Sequence, residues 1–390
     1  MNKVLQRIKS DISITLDSDQ PVSLKQKTFH GNISLVIAMA QFFGVMPLHN
    51  VRKNPDEVFF KWTSFRVFYA MFNAVMTLVS TILWIVKFSL EGLVVDKTAQ
   101  MAFYLCNFLA SVQLIEIARH WSSILREWSY IEVSMRGYPQ GENIGRKFLK
   151  ITLVFIGLGT VEHLLFILNG VFQSQGCVGY DKSHARVYFE VSFQNYFTFI
   201  QYNVWLAIII KFANTISTFT WIFTDLFITL MSIALTARFK QINQNLENSK
   251  IMHEKFWSEM RQDYLKLHKL CKSIDKHLAF LVAVSYTHNI YFLCIQLYNS
   301  LSERSGAIET TYFFFSFGFL VLRLLTVSMY GAWLNEETKK PLEFLCCVHT
   351  DHYCIDVSRW IQQIYVNPIG ISGSGFFLVT KNFLLRVSTD

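Results

Sequence analysis

The residues of this chain best equipped for chemistry are polar side chains stranded inside long apolar runs. TVEHLLFIL carries Glu162 and His163, STFTWIFTDLFITL carries Trp221 and Asp225, and YTHNIYFLCIQLYNSL carries His288, Asn289, Tyr291, Gln296, Tyr298 and Asn299. An ionisable group inside a membrane span costs roughly 2.5–3.5 kcal/mol on insertion scales, so such groups are expected to have a use. Carboxylates, amides, phenols and ring faces together suit neutral, hydroxyl-rich ligands. Glu162 and His163 read either as the wall of a ligand cavity or as a pair satisfying each other within a bundle. Trp221 and Asp225 stand four apart, on one helical face. They could offer a ring platform and a hydroxyl acceptor, but a position toward the cytosolic half favours gating or packing. In the third stretch, Asn289, Tyr291 and Gln296 are candidate ligand contacts; the alternative is interhelical hydrogen bonding, worth roughly 0.6–2 kcal/mol each.

Other constellations carry less. CCVHTDHYC (Cys346, Cys347, His349, His352, Cys354) has metal-binding composition without a zinc-site spacing, so no metal is expected. Asn32-Ile33-Ser34 is a glycosylation sequon on the side assigned below to the cytosol. There is no phosphate-binding glycine loop, no nucleophile elbow and no HExxH, so neither an enzyme nor a cofactor is expected.

The elements that must hold these residues are helices in lipid. Of 390 residues 52% are hydrophobic and 16% charged, against about 25% charged in soluble proteins. The apolar residues gather into six runs near the ~20 residues a crossing needs: Val67–Phe88, Met101–Ala118, Ile151–Phe172, Tyr196–Phe239, Leu278–Tyr298 and Tyr312–Trp333. Tyr196–Phe239 exceeds one simple crossing; its first part is expected either to lie at the outer interface or to extend the helix outward, with Lys211 and Asn214 marking the join. The formal charge of +8 sits in connecting segments, which speaks for a membrane protein and against nucleic acid.

Lys and Arg set the orientation. Basic residues fill the segment before Arg66, residues 119–150, and residues 238–277, all of which are assigned to the cytosol. The connections at 89–100, 173–195 and 302–309 are then outside. The predicted fold is all-α: a polytopic membrane helix bundle with a cytoplasmic N-terminus. Its divisions are a cytoplasmic segment 1–66, spans one to four over 67–239, and cytoplasmic helical extensions over 240–277. Spans five and six follow over 278–333, then cytoplasmic helices over 334–390. The first 30 residues contain no apolar h-region, so the first span is expected to act as the targeting signal. Only Cys177 of the seven cysteines falls in an outside loop, which argues against a disulfide framework.

Several stretches, in order, resemble the sugar branch of the insect gustatory receptor family: FGVMPLHNV with FFKWTSFRVFYA, VEHLLFIL, ISTFTWIFTDLFITLMSIAL with RFKQIN, NIYFLCIQLYNSL, LTVSMYGAWLNEETKKPLEFL and GISGSGFFLVTKNFLL. The resemblance covers about residues 40–387. It implies a sugar-gated, nonselective cation channel in the plasma membrane of taste neurons, a homo- or hetero-tetramer with other gustatory receptors. Its sugar pocket lies among the helices, and the family's seventh helix lines the pore. Within that reading the pocket candidates are Glu162, His163, Asn289, Tyr291 and Gln296, chosen for their polarity inside apolar spans, and Trp221 and Asp225 are the gating or packing candidates. The family continues past FFLVTKNFLL into an apolar helix with a TYxxxLLQF-like ending, whereas this sequence reaches RVSTD at Asp390. Six of the seven spans are therefore expected, with a truncated, non-conducting subunit that regulates complete receptors as the alternative. A solute transporter ranks third, because the helices are unbroken and show no internal repeat.

Overall fold

The computed structural model describes residues 28–92, 95–139, 143–175, 183–249, 253–302, 304 and 306–382. Cys177, Asp181 and Lys182, the first 27 residues and the RVSTD ending lie outside the described residues. Six long helices dominate: α2 (Phe65–Glu91), α3 (Val95–Ser134), α4 (Ile144–Gln175), α7 (Val204–Asn248), α8 (Glu254–Ser300) and α9 (Ala307–Lys339). Short helices complete the chain: α1 (Phe29–Phe42), α5 (His184–Ser192), α6 (Gln194–Phe197), α10 (Pro341–Leu345) and α11 (Ile355–Val366). A small antiparallel hairpin follows, β1 (Ser372–Gly373) with β2 (Phe377–Leu378).

Each of the six long helices contains a stretch apolar and long enough to cross a membrane. Local chemistry fixes their starts. The Ser64 hydroxyl accepts the Val67 N–H, and the Asn203 side chain accepts those of Trp205 and Leu206, which satisfies donors that a helix start leaves open. Pro341 stands just past the Lys340 cap of α9, and its missing N–H ends that helix.

The helices far exceed a crossing. α8 has 47 residues, about 70 Å of helix, more than twice the ~30 Å hydrocarbon core. The extensions of α7 and α8 pack together through Phe239 and Tyr264, ring centroids 5.6 Å apart. α11 lies on α8 through Trp360 against Tyr264 and an Arg261–Asp356 ion pair at 2.8 Å.

α7 is the central helix: 94% of its most apolar stretch is buried, against 22% for α4. Its polar residues survive there because they bond their own helix. The hydroxyls of Ser217, Thr218, Thr220, Thr224, Thr229 and Ser232 each donate to the carbonyl four residues back. Asn73 ties α2 to α3 and α7 through Ser111, Thr220 and Ser217.

One expectation is corrected. The break before the fourth span lies at 198–203, between α6 and α7, whereas Lys211 and Asn214 sit within unbroken helix. Asn203 supplies the reason, since its cap starts a helix that nothing downstream interrupts. The N-terminal segment also contributes α1 to the core. Phe29 stacks on Trp128 at 3.9 Å, and its N–H donates to Glu132, which in turn pairs with Arg238.

Candidate functional site

Asp225 is fully buried in α7 and accepts hydrogen bonds from two other long helices. From α8, the Ser285 hydroxyl donates at 2.5 Å and Asn289 Nδ2 reaches both carboxylate oxygens at 3.3 and 3.2 Å. From α9, Arg323 donates to Oδ2 through Nε at 2.9 Å and Nη2 at 2.6 Å. Nη2 also donates to Asn289 Oδ1 at 3.3 Å, closing a ring of charge-assisted bonds across α7, α8 and α9. Ser285 and Asn289 are four apart on α8, so one helix face delivers both.

Arg323 has a third partner. Its guanidinium carbon stands 4.1 Å from the centroid of Trp221, one turn before Asp225 on α7. Trp221 and Asp225 therefore grip the same cation. Trp221 also meets His288, edge to face with centroids 3.7 Å apart, and Phe292 closes on both.

A second polar chain joins three long helices nearer the α8–α9 connection. Gln296 Nε2 donates to the Ser316 hydroxyl at 3.2 Å, and that hydroxyl donates to Glu162 Oε1 at 3.1 Å. Ser316 is the bridge between α8 and α4 because a hydroxyl donates and accepts at once. Gln296 Oε1 is buried without a hydrogen-bond partner among the described residues.

The sequence-predicted residues thus separate. Glu162 and Gln296 share Ser316, whereas Asn289 belongs to the Asp225–Arg323 ring. His163 Nε2 pairs with the Thr215 hydroxyl of α7 at 3.1 Å, and the Tyr291 hydroxyl with that of Thr98 on α3 at 2.6 Å. Glu162 and His163 do not satisfy each other. Consecutive residues point about 100° apart around a helix, so Glu162 meets α9 and His163 meets α7.

Arg323, Ser285 and Ser316 escaped the sequence reading. Arg323 had a signal, as the only charged residue between Glu309 and Glu336. The serines had none, because a lone hydroxyl in a helix is ordinarily satisfied by its own backbone. Cys346 and Cys347 are exposed free thiols, Cys354 is half-buried, and His349 sits 3.2 Å from Asp351. A tight cavity between α1, α4 and α7, lined by Val36, Phe43, Thr152, Phe219 and Phe223, touches none of the polar groups above.

Comparison with known proteins agrees with this architecture. The chain is 28% identical over 377 residues to the gustatory receptor for sugar taste 64f of Drosophila melanogaster, covering 95% of this chain and 80% of that one. Against gustatory receptor 5a for trehalose of the same species the identity is 26%, over 94% of this chain and 83% of that receptor. Among solved structures, the insect olfactory receptor OR5 from Machilis hrabei, in complex with eugenol, superposes with a TM-score of 0.63. That match has 13% identity and covers 91% of this chain and 94% of the receptor. The unliganded structure of OR5 gives a TM-score of 0.64. The likeness to OR5 establishes the fold. A family model described as trehalose receptor matches residues 14–390, and with it the chain belongs to the trehalose receptor family, the sugar branch of the insect gustatory receptors.

Proposed function

We propose that this chain is a subunit of a sugar-gated, nonselective cation channel that detects extracellular sugars at the plasma membrane of taste neurons, assembled as a homo- or hetero-tetramer with other gustatory receptors. The N-terminus is cytosolic in this reading, as the Lys and Arg distribution requires. The α8–α9 connection then faces outward, and the Glu162–Ser316–Gln296 chain lies on the side from which sugar arrives. That chain is the observation that supports the reading most: a carboxylate, a hydroxyl and an amide from three helices converge in an otherwise apolar bundle. Sugar hydroxyls are recognised by such groups, which both accept and donate. His163 and Tyr291 flank it, and Asn289 links the same helix face to Asp225 and Arg323, the pair assigned here to gating.

The test is electrical. Cells expressing this chain, alone and with a second sugar receptor of the family, are perfused with trehalose and sucrose while cation current is recorded. Sugar-evoked current that Gln296→Ala reduces, with surface expression retained, supports the proposal. The complete absence of evoked current and of saturable sugar binding to the chain refutes it.

A further inference from the structure

The helix α1 is apolar on both of its faces. Phe29, Ile33, Val36, Ile37 and Ala40 pack inward. On the opposite face Leu35, Met39 and Phe42 follow one another at helical spacing, with Met39 half-buried and Phe42 78% exposed. From Phe29 to Val51 the chain carries no Lys, Arg, Asp or Glu. A helix that covers a soluble core turns charged and polar residues outward; an apolar outer face belongs against hydrocarbon. The Tyr69 hydroxyl donates to the Phe42 carbonyl at 3.2 Å, which holds the end of α1 beside the start of the first crossing helix.

The helices beside α1 each change character along one exposed stripe. On α4, Leu153 and Leu149 are exposed, and toward the helix start the same face continues with Lys150 and Arg146. At α2, Phe68 and Phe65 are exposed, and before them stand exposed Trp62 and Lys61. Such a passage from apolar through aromatic to basic marks the boundary between hydrocarbon and headgroups. Lys61, Arg146 and Lys150 form no ion pair among the described residues, whereas Glu57 is taken by Lys53 at 3.4 Å. Lys147 is engaged by the rings of Tyr330 and Trp333 at 5.0 and 5.9 Å, so it is set apart from the free cations. Burial, then the charges of Arg66 and Lys61, lower the His49 pKa below the ordinary 6.5, so both cations reach the same ring.

We propose that the face formed by α1 and the adjoining ends of α2 and α4 is a binding surface for anionic phospholipid of the inner leaflet. Acyl chains lie against Leu35 and Phe42, and headgroup oxygens meet Lys61, Arg146 and Lys150. Charge complementarity selects this occupant. A zwitterionic lipid covers the stripe but leaves the cations without net opposite charge, and a second copy meeting it face to face would set cation against cation. The proposal depends on the cytosolic N-terminus, and it stands or falls separately from sugar gating. Phe43, just past α1, stacks on Phe219 of α7 at 4.0 Å, so the lipid-covered element packs on the same helix that carries Asp225.

The purified full-length chain in neutral detergent is titrated with fluorescently labelled phosphatidylserine and with equally labelled phosphatidylcholine, read by energy transfer from tryptophan. Phosphatidylserine should bind more tightly, and added salt should weaken it alone, because salt screens exposed charge. A basic residue beside an anionic lipid surface contributes about a fivefold factor in affinity. Lys61→Gln and Lys150→Gln should each weaken phosphatidylserine by about that factor and leave phosphatidylcholine unchanged. Lys269→Gln, an exposed cation on the extension of α8, should alter neither. Equal binding of the two lipids by the unaltered chain, or saturable binding of neither, overturns the proposal. So does a phosphatidylserine preference that survives Lys61→Gln, Arg146→Gln and Lys150→Gln combined, or a loss in Lys269→Gln as large as in Lys61→Gln, which would reveal general attraction without a site. If Phe42→Cys cross-links to a second copy in native membranes, the face is a subunit contact and the proposal fails. The salt series needs no substitution, so a variant that does not fold leaves the test intact; phosphatidylserine affinity indifferent to salt refutes the headgroup contacts.

Discussion

Arg323 is bound to Asp225 through two nitrogens at 2.9 and 2.6 Å, with side chains 3% and 0% exposed, so the pair that joins α9 to α7 is sealed from solvent. A charge in hydrocarbon is tolerated only when it is paired and its remaining valences are filled. Ser285 and Asn289 fill those of the carboxylate, and the Trp221 face covers the guanidinium. Four polar partners on three helices thereby fix how α7, α8 and α9 sit against each other.

Breaking this pair from one side leaves an uncompensated buried charge, at a cost of about 3–5 kcal/mol. Asp225→Ala and Arg323→Ala should each lower the unfolding temperature of the detergent-solubilised protein and deplete it from the cell surface. Replacing both with apolar residues of similar size, Asp225→Leu with Arg323→Met, should recover most of the stability. Fluorescence-detected chromatography after heating reads both; a double variant as unstable as the sum of the singles would contradict this account.

Ser316→Ala removes the bridge between Gln296 and Glu162 and leaves two buried polar groups short of a partner. The loss of a hydrogen bond of this kind is worth about 1 kcal/mol, several-fold in an equilibrium constant. Trehalose affinity should fall by that factor, while Ser316→Thr, which restores a hydroxyl, should bind more tightly than Ser316→Ala. Equal binding by all three forms would remove Ser316 from the site.

Asp275 on α8 holds the terminal hairpin, accepting from the Ser372 N–H at 2.7 Å and the Ser372 hydroxyl at 2.8 Å. The turn needs positive φ at Ser374 and Gly375, and its far side packs Phe377 on Tyr286 at 5.1 Å. Hydrogen bonds to a charged group contribute about 1.5–3 kcal/mol each. Asp275→Ala should release the hairpin locally, seen as faster hydrogen exchange over 372–378 without change in the Asp225 region. Unchanged protection would show that Phe377 and Val379 alone suffice to dock it.

His30 in α1 is buried, with Nε2 2.8 Å from the Lys53 carbonyl oxygen, and burial lowers its pKa below the ordinary 6.5. The folded protein thus holds this ring neutral where the unfolded chain would take a proton. Its contribution to stability is present above 6.5 and is lost as pH falls below that value. Unfolding temperatures compared at about pH 7.5 and about pH 5.5 should show acid sensitivity, and His30→Gln should reduce it. An identical pH dependence in His30→Gln would assign the effect to another group.

Much of this architecture is legible in the residues themselves. Apolar runs reveal helices in lipid because hydrocarbon demands that each segment satisfy its own backbone. Asp225 and Trp221 fall on one face from their spacing alone, and the structure shows why that matters: both meet Arg323. The 198–203 break was not legible, because the aromatic run before Asn203 continues the same hydropathy while the backbone turns.

By itself the sequence determined the class of molecule: an all-α membrane bundle, its six long apolar helices, and the family to which its ordered motifs point. These follow from one-dimensional properties, hydropathy, charge and motif order, that survive without knowledge of contacts. Only the tertiary structure decided partnership. It split Glu162 from His163, gave Asn289 to Asp225, and brought Arg323 from α9 and Ser285 from α8 to one carboxylate. The physical reason is that a polar group inside lipid is defined by its partner, and helix–helix packing chooses that partner from positions 20 to 193 residues apart in the chain.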